Sequence, residues 1–404
     1  MTEILRGVRI LEVAEHTFVP AASALLADWG AEVIKIEHVQ RGDAMRGLAS
    51  TGVAQISGDV HVLLEHANRG KKSLALDLAQ PEGLEVLYKL VAVSDVFLTN
   101  KLPGVRAKLR IGVDEIRAQN EKIIYVRGTG QGERGPDADK GSYDNLAFWN
   151  RSGVALGVMR PGDELVPGPP GPAFGDSIGA MTIAGGIMGA LFHRERTGEA
   201  ATVDVSLLTT ALWSHGSAIA LSLLNNTPWA IPPGAARRNP LTANYKTADG
   251  RWLAFTCLQA GKYWPLLAGL IGRAELANDA RFADHVSLLT NSADAIKILD
   301  DVFAAQPLAY WREKLSDFEG QWTVVQDTLE AAADPQSDAN GYIQECETAA
   351  GVKFKLAAAP VQYDEEPARP QRAPLFNEHG DEILGQVGYD MEGIIDLKVR
   401  GVVA

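Results

Sequence analysis

The residue most open to chemical use is Asp176, in Gly175-Asp176-Ser177-Ile178-Gly179-Ala180-Met181. It follows the turn cluster PGPPGPAFG, Pro167 to Gly175, and precedes small and apolar residues that predict a helix through Arg194. Aspartate at a helix start has two readings. It can be an N-cap that accepts hydrogen bonds from the orphan amides of the first turn. It can also be a carboxylate kept ionised by the helix dipole, with flanking glycines leaving room for a substrate. Such a carboxylate is a competent covalent nucleophile where water is excluded. The local residues leave both readings open. Two basic islands are the next feature: Arg69-Gly70-Lys71-Lys72 carries +3, and KLPGVRAKLR, Lys101 to Arg110, carries +4 with no acid inside it. Islands of this kind cradle a phosphorylated ligand or form a solvated charge run, and these readings also stay open.

Other chemistries lack their residues. The chain opens strand–loop–helix, but the loop Ala14-Glu15-His16-Thr17-Phe18-Val19-Pro20 has no glycine. A pyrophosphate turn needs Gly-x-Gly-x-x-Gly, so NAD and FAD are not expected. A Walker loop and HExxH are missing from the sequence. The 8 histidines fall without ligand spacing; His61 and His66 are expected on a surface or loop, and no metal site is predicted. Cys257 and Cys346 are too few for a disulfide framework, which predicts a reducing compartment, with the cytoplasm as default.

The elements that must position these residues alternate. Gly7–Val13, Ala31–Glu37, Asp95–Thr99 and Lys122–Val126 read as strands, with helices over Ala21–Trp29 and Pro81–Val93. Such alternation predicts an α/β fold with a parallel sheet, whose ligands sit at the carboxyl ends of the strands. The loops to search are therefore Ala14–Val19, His38–Arg46, Asn100–Arg110 and Arg127–Asp144. The stretch from Arg127 to Ala173 is read as loop throughout.

Farther on, Ala201–Val205 is a strand. Val205 to Ala236 carries no Asp, Glu, Lys or Arg, and its scattered Ser, Thr, His and Asn favour a buried helix over a membrane span. Pro232-Pro233-Gly234 marks a boundary. A hairpin over Asn244–Leu258 and amphipathic helices at Ser292–Phe303 and Leu308–Leu315 predict a smaller α+β middle domain. The expected division is 1–225, 226–332 and 333–404. With 404 residues, 46% of them apolar, the chain has ample material for two cores. Its net charge of −13 argues against nucleic acid and anionic membranes as partners. The first 150 residues hold 18 basic and 20 acidic residues, a net −2, so most of the acidic excess lies beyond them.

GVRILEV, LLADWGAEVIKIEHVQRGDAMR, KKSLALDL, TNKLPGVRAKL, SYDNLAF, AFGDSIGAM and RTGEAATVDVSLL run in this order, with ADPQ, RAP and NEHGDEIL near the end. Together they resemble the class III CoA-transferase family, which includes formyl-CoA:oxalate CoA-transferase and the α-methylacyl-CoA racemases. The resemblance spans essentially the whole chain. It implies a Rossmann-like large domain formed by both chain ends, a smaller α+β middle domain, and an interlocked dimer, as homodimer or heteromer. It implies acyl-CoA and a carboxylic acid as substrates, with no permanently bound cofactor. Asp176 falls at the catalytic aspartate. The implied CoA contacts are His16, Thr17, Phe18, His38, Leu76, Asn100, Lys101, Lys108, Lys140, Tyr143 and Asp144. His38 stands where transferases often have Arg, leaving phosphate charge to Arg41 or Arg46. The Ser177 and Gly179 amides are the expected oxyanion donors. Racemases carry Gly-His-Asp where this chain has Ser142-Tyr143-Asp144, which favours transfer over racemisation. A non-catalytic CoA-binding subunit is the third reading, disfavoured by the retained Asp176. Leu48 replaces a Trp of the oxalate enzymes, and Pro233-Gly234-Ala235-Ala236-Arg237-Arg238-Asn239-Pro240 stands in place of their glycine-rich flap. Both changes point to a non-oxalate acyl group, larger and less polar; Arg237 and Arg238 read either as a solvated loop pair or as a contact for an acceptor carboxylate, and both readings stay open.

Overall fold

A computed structural model describes residues 3–50, 52, 55–56, 58–231 and 239–404. The chain divides into two compact units, one of Met1–Val158, Leu165–Trp229 and Pro335–Ala404, the other of Met159–Glu164 and Ala230–Asp334.

Runs of four to seven residues, mostly apolar and, β6 apart, largely buried, make the strands of the first unit. These are β1 (Arg9–Val13), β2 (Glu32–His38), β3 (Lys72–Leu76), β4 (Val96–Thr99), β5 (Ile124–Thr129) and β6 (Thr202–Ser206). All pair in parallel, in the order β3-β2-β1-β4-β5-β6. Successive side chains alternate between the faces. Ile10, Val33, Leu98 and Val126 pack on one side beneath α1 (Phe18–Asp28) and, later in the chain, the long helix Phe174–Thr197. Leu11, Ile34, Leu74, Phe97 and Tyr125 pack on the other. That second face is covered by α3 (Pro81–Ala92) and α5 (Val113–Gln119), and by the returning C-terminal helices Gly380–Gln386 and Met391–Val399. Between them run α2 (Val62–Asn68) and α4 (Pro103–Leu109).

The order reverses between β1 and β4. The chain winds outward through β2 and β3, then returns to place β4 on the other side of β1. The crevice outside the carboxyl ends of β1 and β4 is where a doubly wound sheet accepts a ligand.

The second unit carries the antiparallel strands β7 (Asn244–Lys246), β8 (Trp252–Phe255) and β9 (Trp322–Val324). Helices pack on them around Tyr245, Phe255, Phe303 and Trp311, with ring centroids 5.0–6.0 Å apart.

Several expectations change. Residues 103–109 form α4 rather than loop. Within the stretch read as loop to Ala173, Asn145–Asn150 is a π-helical turn and Val154–Gly157 is α6. Residues 159–164 belong to the second unit, which begins again at Ala230, not 226, and ends at Asp334, not 332. The boundary signal Pro232-Pro233-Gly234 lies outside the described residues, as do Arg237 and Arg238. With α7 now placed at Phe174–Thr197, the charge-free run that follows is not a buried helix. It is α8 (Leu207–Ser214) and α9 (Gly216–Asn225), bent by 70°. Only Leu207, Thr210 and Ala211 of α8 are buried, and no residue of α9 is. Absence of charge does not by itself bury a helix; a core must lie against it, and here the apolar side chains face outward. Among the described residues, α7 alone is by length and composition able to cross a membrane, joined by the bent α8–α9 pair if that is taken as one span.

Candidate active site

The β1–α1 loop is held from below by buried charge. Lys35 Nζ lies 2.8 Å from Glu12 Oε1 and 2.7 Å from Asp43 Oδ2, and all three side chains are sealed from solvent. The same ammonium donates to the Ala14 carbonyl at 2.9 Å. Asp43 in turn accepts the His16 amide at 2.9 Å, fixing His16 at a φ of 68°. Asn100, at the end of β4, grips the neighbouring residue, accepting the Glu15 amide at 3.2 Å and donating to its carbonyl at 2.7 Å. The island Arg69–Lys72 is consumed by this framework. Arg69 is buried against Asp28 at 2.8 Å, Lys71 against Glu12 at 2.8 Å, and Lys72 pairs with Glu32 and Glu382. It is not a phosphate cradle.

Helix α7 starts without a side-chain cap of its own, because Ala173 occupies the N-cap position at a φ of 57°. The carboxylate of Asp144 replaces it, accepting the Gly175 amide at 3.2 Å and the Asp176 amide. Asp144 is therefore a helix cap and lines neither cavity described below. Ser177 donates its amide to the Ala173 carbonyl at 2.9 Å, and Gly179 lies inside the helical ladder. Neither amide is available to an oxyanion; the helix begins two residues earlier than expected. The glycines serve packing, not substrate access. A Cβ at Gly175 would lie 2.5 Å from Phe148, and one at Gly179 2.3 Å from Phe18.

Asp176 is half-buried on the first turn of α7. Burial foremost, and then the charge of Asp144, push its carboxyl from 3.8 up to about 8. Both effects favour the neutral acid, opposite to the expectation of a carboxylate kept ionised by the helix dipole. Half-buried His66, on α2, has its Nε2 3.4 Å from Ser177 Oγ and is pushed down to about 4 by burial and then by Arg69. His61 caps the same helix by accepting the Leu64 amide at 3.2 Å. His61 thus lies in loop as expected, whereas His66 stands within a helix.

Asp176 lines a cavity of about 420 Å³ with His16, Phe18, Asn100, Lys101 and Tyr143. His16 and Tyr143 meet edge to face at 5.5 Å, with Tyr143 exposed at the rim. A second cavity of about 290 Å³ is lined by His38, Leu76, Lys108 and Leu109. Glu15, Arg41, Lys101 and Val105 line both, so the two form one groove along the switch point. A wider open depression of about 550 Å³ lies at the opposite, amino end of the sheet, around Asp95, Asn120 and Arg194. Its arginine is already paired with Asp95 at 2.8 Å.

Nine of the expected site residues thus lie along the groove: His16, Phe18, His38, Leu76, Asn100, Lys101, Lys108, Tyr143 and Asp176. Thr17 is buried at the N-cap of α1, Lys140 is tied to Asp137 at 2.7 Å on the surface, and Asp144 caps α7. Arg46 is held by Glu37 at 2.6 Å, whereas Arg41 stays largely exposed. Sequence reasoning missed Glu15, although it sits in a loop already selected for search. Leu48 and Ala173 pack on the apolar cluster of Met45, Ile56 and Leu63, which brings apolar surface to the start of α7.

A doubly wound sheet with a carboxylate at one end of an elongated groove that also presents Arg41, Lys101 and Lys108 has the layout of an α/β enzyme whose substrate binds at the switch point. Residues 5–380 match the model of CoA-transferase family III. The chain belongs to this family, also called CaiB/BaiF, and its activity is CoA transfer. It is 30% identical over 402 residues to the (R)-2-hydroxy-4-methylpentanoate CoA-transferase of Clostridioides difficile, covering 99% of each chain. It is 27% identical to the cinnamoyl-CoA:phenyllactate CoA-transferase of Clostridium sporogenes, covering 98% of this chain and 96% of the relative. The crystal structure of Rv3272 from Mycobacterium tuberculosis superimposes with a TM-score of 0.79 at 26% identity, covering 94% of this chain and 99% of that one.

Two stability measurements test the site's construction. Gly179→Ala should lower the unfolding free energy by about 1–3 kcal/mol through the Phe18 clash, whereas Gly185→Ala, which meets open space, should leave it unchanged or raise it. Because the folded-state pKa of Asp176 is raised, its ionisation costs stability as pH climbs from about 4 to about 8. Asp176→Asn should therefore melt close to the parent near the bottom of that window and increasingly above it toward the top, as followed by thermal scans.

Proposed function

We propose that Asp176 is the covalent nucleophile of a class III CoA-transferase acting in the cytoplasm. The observation that carries this reading is its place on the first turn of α7, at one end of the groove formed at the switch point. The Asp176 carboxylate attacks the donor thioester carbonyl; the C–S bond breaks, CoA thiolate leaves, and an acyl-aspartyl anhydride forms. The thiolate then attacks the aspartyl carbonyl, expelling the donor acid and leaving an aspartyl-CoA thioester. The acceptor carboxylate attacks that thioester to give a new anhydride and thiolate. Attack of the thiolate on the acceptor acyl carbon releases acyl-CoA and returns Asp176. Each step exchanges a carboxylate and a thiolate at one acyl carbon, so the electrons balance without a redox partner.

The adenosine end of CoA occupies the cavity of His38, Leu76 and Lys108, and the pantetheine arm runs past Lys101 to Asp176. His16 and Tyr143 close the rim against water, which would hydrolyse the anhydride. Leu48 and the apolar cluster beside Ala173 support a non-oxalate acyl group, larger and less polar. The two Clostridium relatives, named for 2-hydroxy-4-methylpentanoate and for cinnamoyl and phenyllactate groups, are of that character. Interlocked pairing as a homodimer would cover the outward apolar faces of α8 and α9, where Trp213, Leu223 and Leu224 are 78–88% exposed.

Incubation with an acyl-CoA donor and hydroxylamine should trap a hydroxamate at residue 176, and Asp176→Ala should lose activity by about 10³-fold or more. An active Asp176→Ala would end the nucleophile reading. Deuterium wash-in at the α-carbon of a 2-methylacyl-CoA without acceptor acid would favour the racemase instead. CoA binding without either activity would favour a subunit role.

Because the nucleophile must be ionised, kcat/KM should rise with pH toward a plateau above about 8. Asp144→Asn keeps an oxygen to accept the α7 amides but removes the like charge, so the inflection should move to lower pH.

Light scattering should give twice the chain mass of 43.3 kDa. Leu224→Lys should shift that mass toward the monomer; a monomeric parent would sink the dimer, and a need for a second polypeptide would support the heteromer. One relative of this chain is named as the beta subunit of a succinyl-CoA–L-malate CoA-transferase.

A further inference from the structure

The two halves of the groove meet at Glu15. Its Oε1 lies 3.3 Å from Arg41 Nη2 and its Oε2 lies 3.0 Å from Lys101 Nζ. All three residues line both cavities. The Glu15 backbone is pinned by Asn100 on its amide and its carbonyl, so only the side chain is free to leave the two cations. Other carboxylates nearby are committed to the fold: Asp43 accepts two backbone amides, and Glu37 accepts the Asp43 amide and the Ser73 hydroxyl. Among the described residues, the bonds of the Glu15 carboxylate go to Arg41 and Lys101 alone.

A carboxylate bridging an arginine and a lysine presents to them one negative charge and two acceptor oxygens, as each phosphate of a diphosphate diester also does. Lys101 and Glu15 are each less than one-fifth exposed, while Arg41 is 60% exposed, so solvent screens the pair only partly. Glu15 neutralises one of the two positive charges at the neck of the groove. A diphosphate entering there meets two cations already occupied.

We propose that Glu15 is an internal counter-anion: it holds Arg41 and Lys101 in the free enzyme and is displaced from them by the diphosphate of the incoming CoA thioester. The neck, midway along the groove, assigns the diphosphate rather than the terminal 3′-phosphate to this pair. The competition weakens thioester binding and speeds its release, which suits an enzyme that must discharge a CoA thioester in every cycle. The proposal rests on the reading that this groove binds CoA.

The test is calorimetric titration of the full chain and of Glu15→Gln, which keeps the shape and removes the charge. Glu15→Gln should bind CoA about fivefold more tightly at low salt. The gain should shrink at high salt, persist with dephospho-CoA, and vanish for pantetheine, which has no phosphate. Adding Arg41→Ala to Glu15→Gln should remove most of it. Unchanged or weaker CoA binding by Glu15→Gln would overturn the proposal, as would an equal gain for pantetheine. A gain lost with dephospho-CoA would overturn the diphosphate assignment. If the parent enzyme itself fails to bind CoA, the groove reading fails and the counter-anion role falls with it, an outcome distinct from equal binding by parent and variant.

Discussion

The ammonium of Lys35 is the constraint on which the site depends. It sits in the sheet with no access to water, and burial works against its charge; Asp43, Glu12 and Glu37 more than reverse that and hold it protonated. A buried ion that loses one partner typically costs about 3–5 kcal/mol, because the remaining charge is stranded. Each of its bonds therefore has to be kept at once. Glu12 ties it to β1, the Ala14 carbonyl ties it to the loop, and Asp43 passes the restraint on to the His16 and Met45 amides. Lys71 and Ser23 complete the shell around Glu12. A hydrophobic core would have packed these strands equally well, but it would not have dictated where the loop after β1 points.

The α7 terminus follows the opposite logic, since it places like charges together. Capping by Asp144 is worth about 1 kcal/mol. Lifting a carboxyl from 3.8 to about 8 corresponds to roughly 6 kcal/mol between its two protonation states. The cost exceeds the gain of the cap, so stability alone does not account for this arrangement. What it supplies is a poorly solvated carboxylate fixed on a rigid helix, and a nucleophile benefits from that state. The glycines complete the picture. By admitting Phe148 and Phe18 against the helix, they lock its first turn rather than open it.

Much of this architecture was legible in the sequence, because strands buried on both faces write themselves as apolar runs between turn residues. Asp176 was legible as well, through the turn cluster before it and the small residues after it. Its cap was not: Asp144 lies 32 residues upstream, and nothing in SYDNLAF says that a carboxylate there reaches the Gly175 amide. A resemblance of motifs marked Asp144 and Lys140 as ligand contacts because they neighbour Tyr143, whereas neither lines the groove. His66 was misjudged for a similar reason. Spacing reports a ligand set but not the burial that a short helix imposes on one of its residues.

Charge shows most clearly where composition stops being informative. Both islands were read as sums of like charges, yet the first is dismantled by its partners: Asp28, Glu12, Glu32 and Glu382 arrive from four different segments. In the second, Arg106 is taken by Glu133, while Lys101 and Lys108 are left facing the groove. A cation spent on an internal carboxylate adds rigidity and no attraction for a ligand. The local field at the groove is set by the few cations whose partners are solvent-reachable and displaceable, of which Arg41 and Lys101 beside Glu15 are the clearest. The acidic total of −13 is compatible with an anionic substrate for this reason: affinity is decided by the pairing state of those side chains, and pairing is a property of the fold.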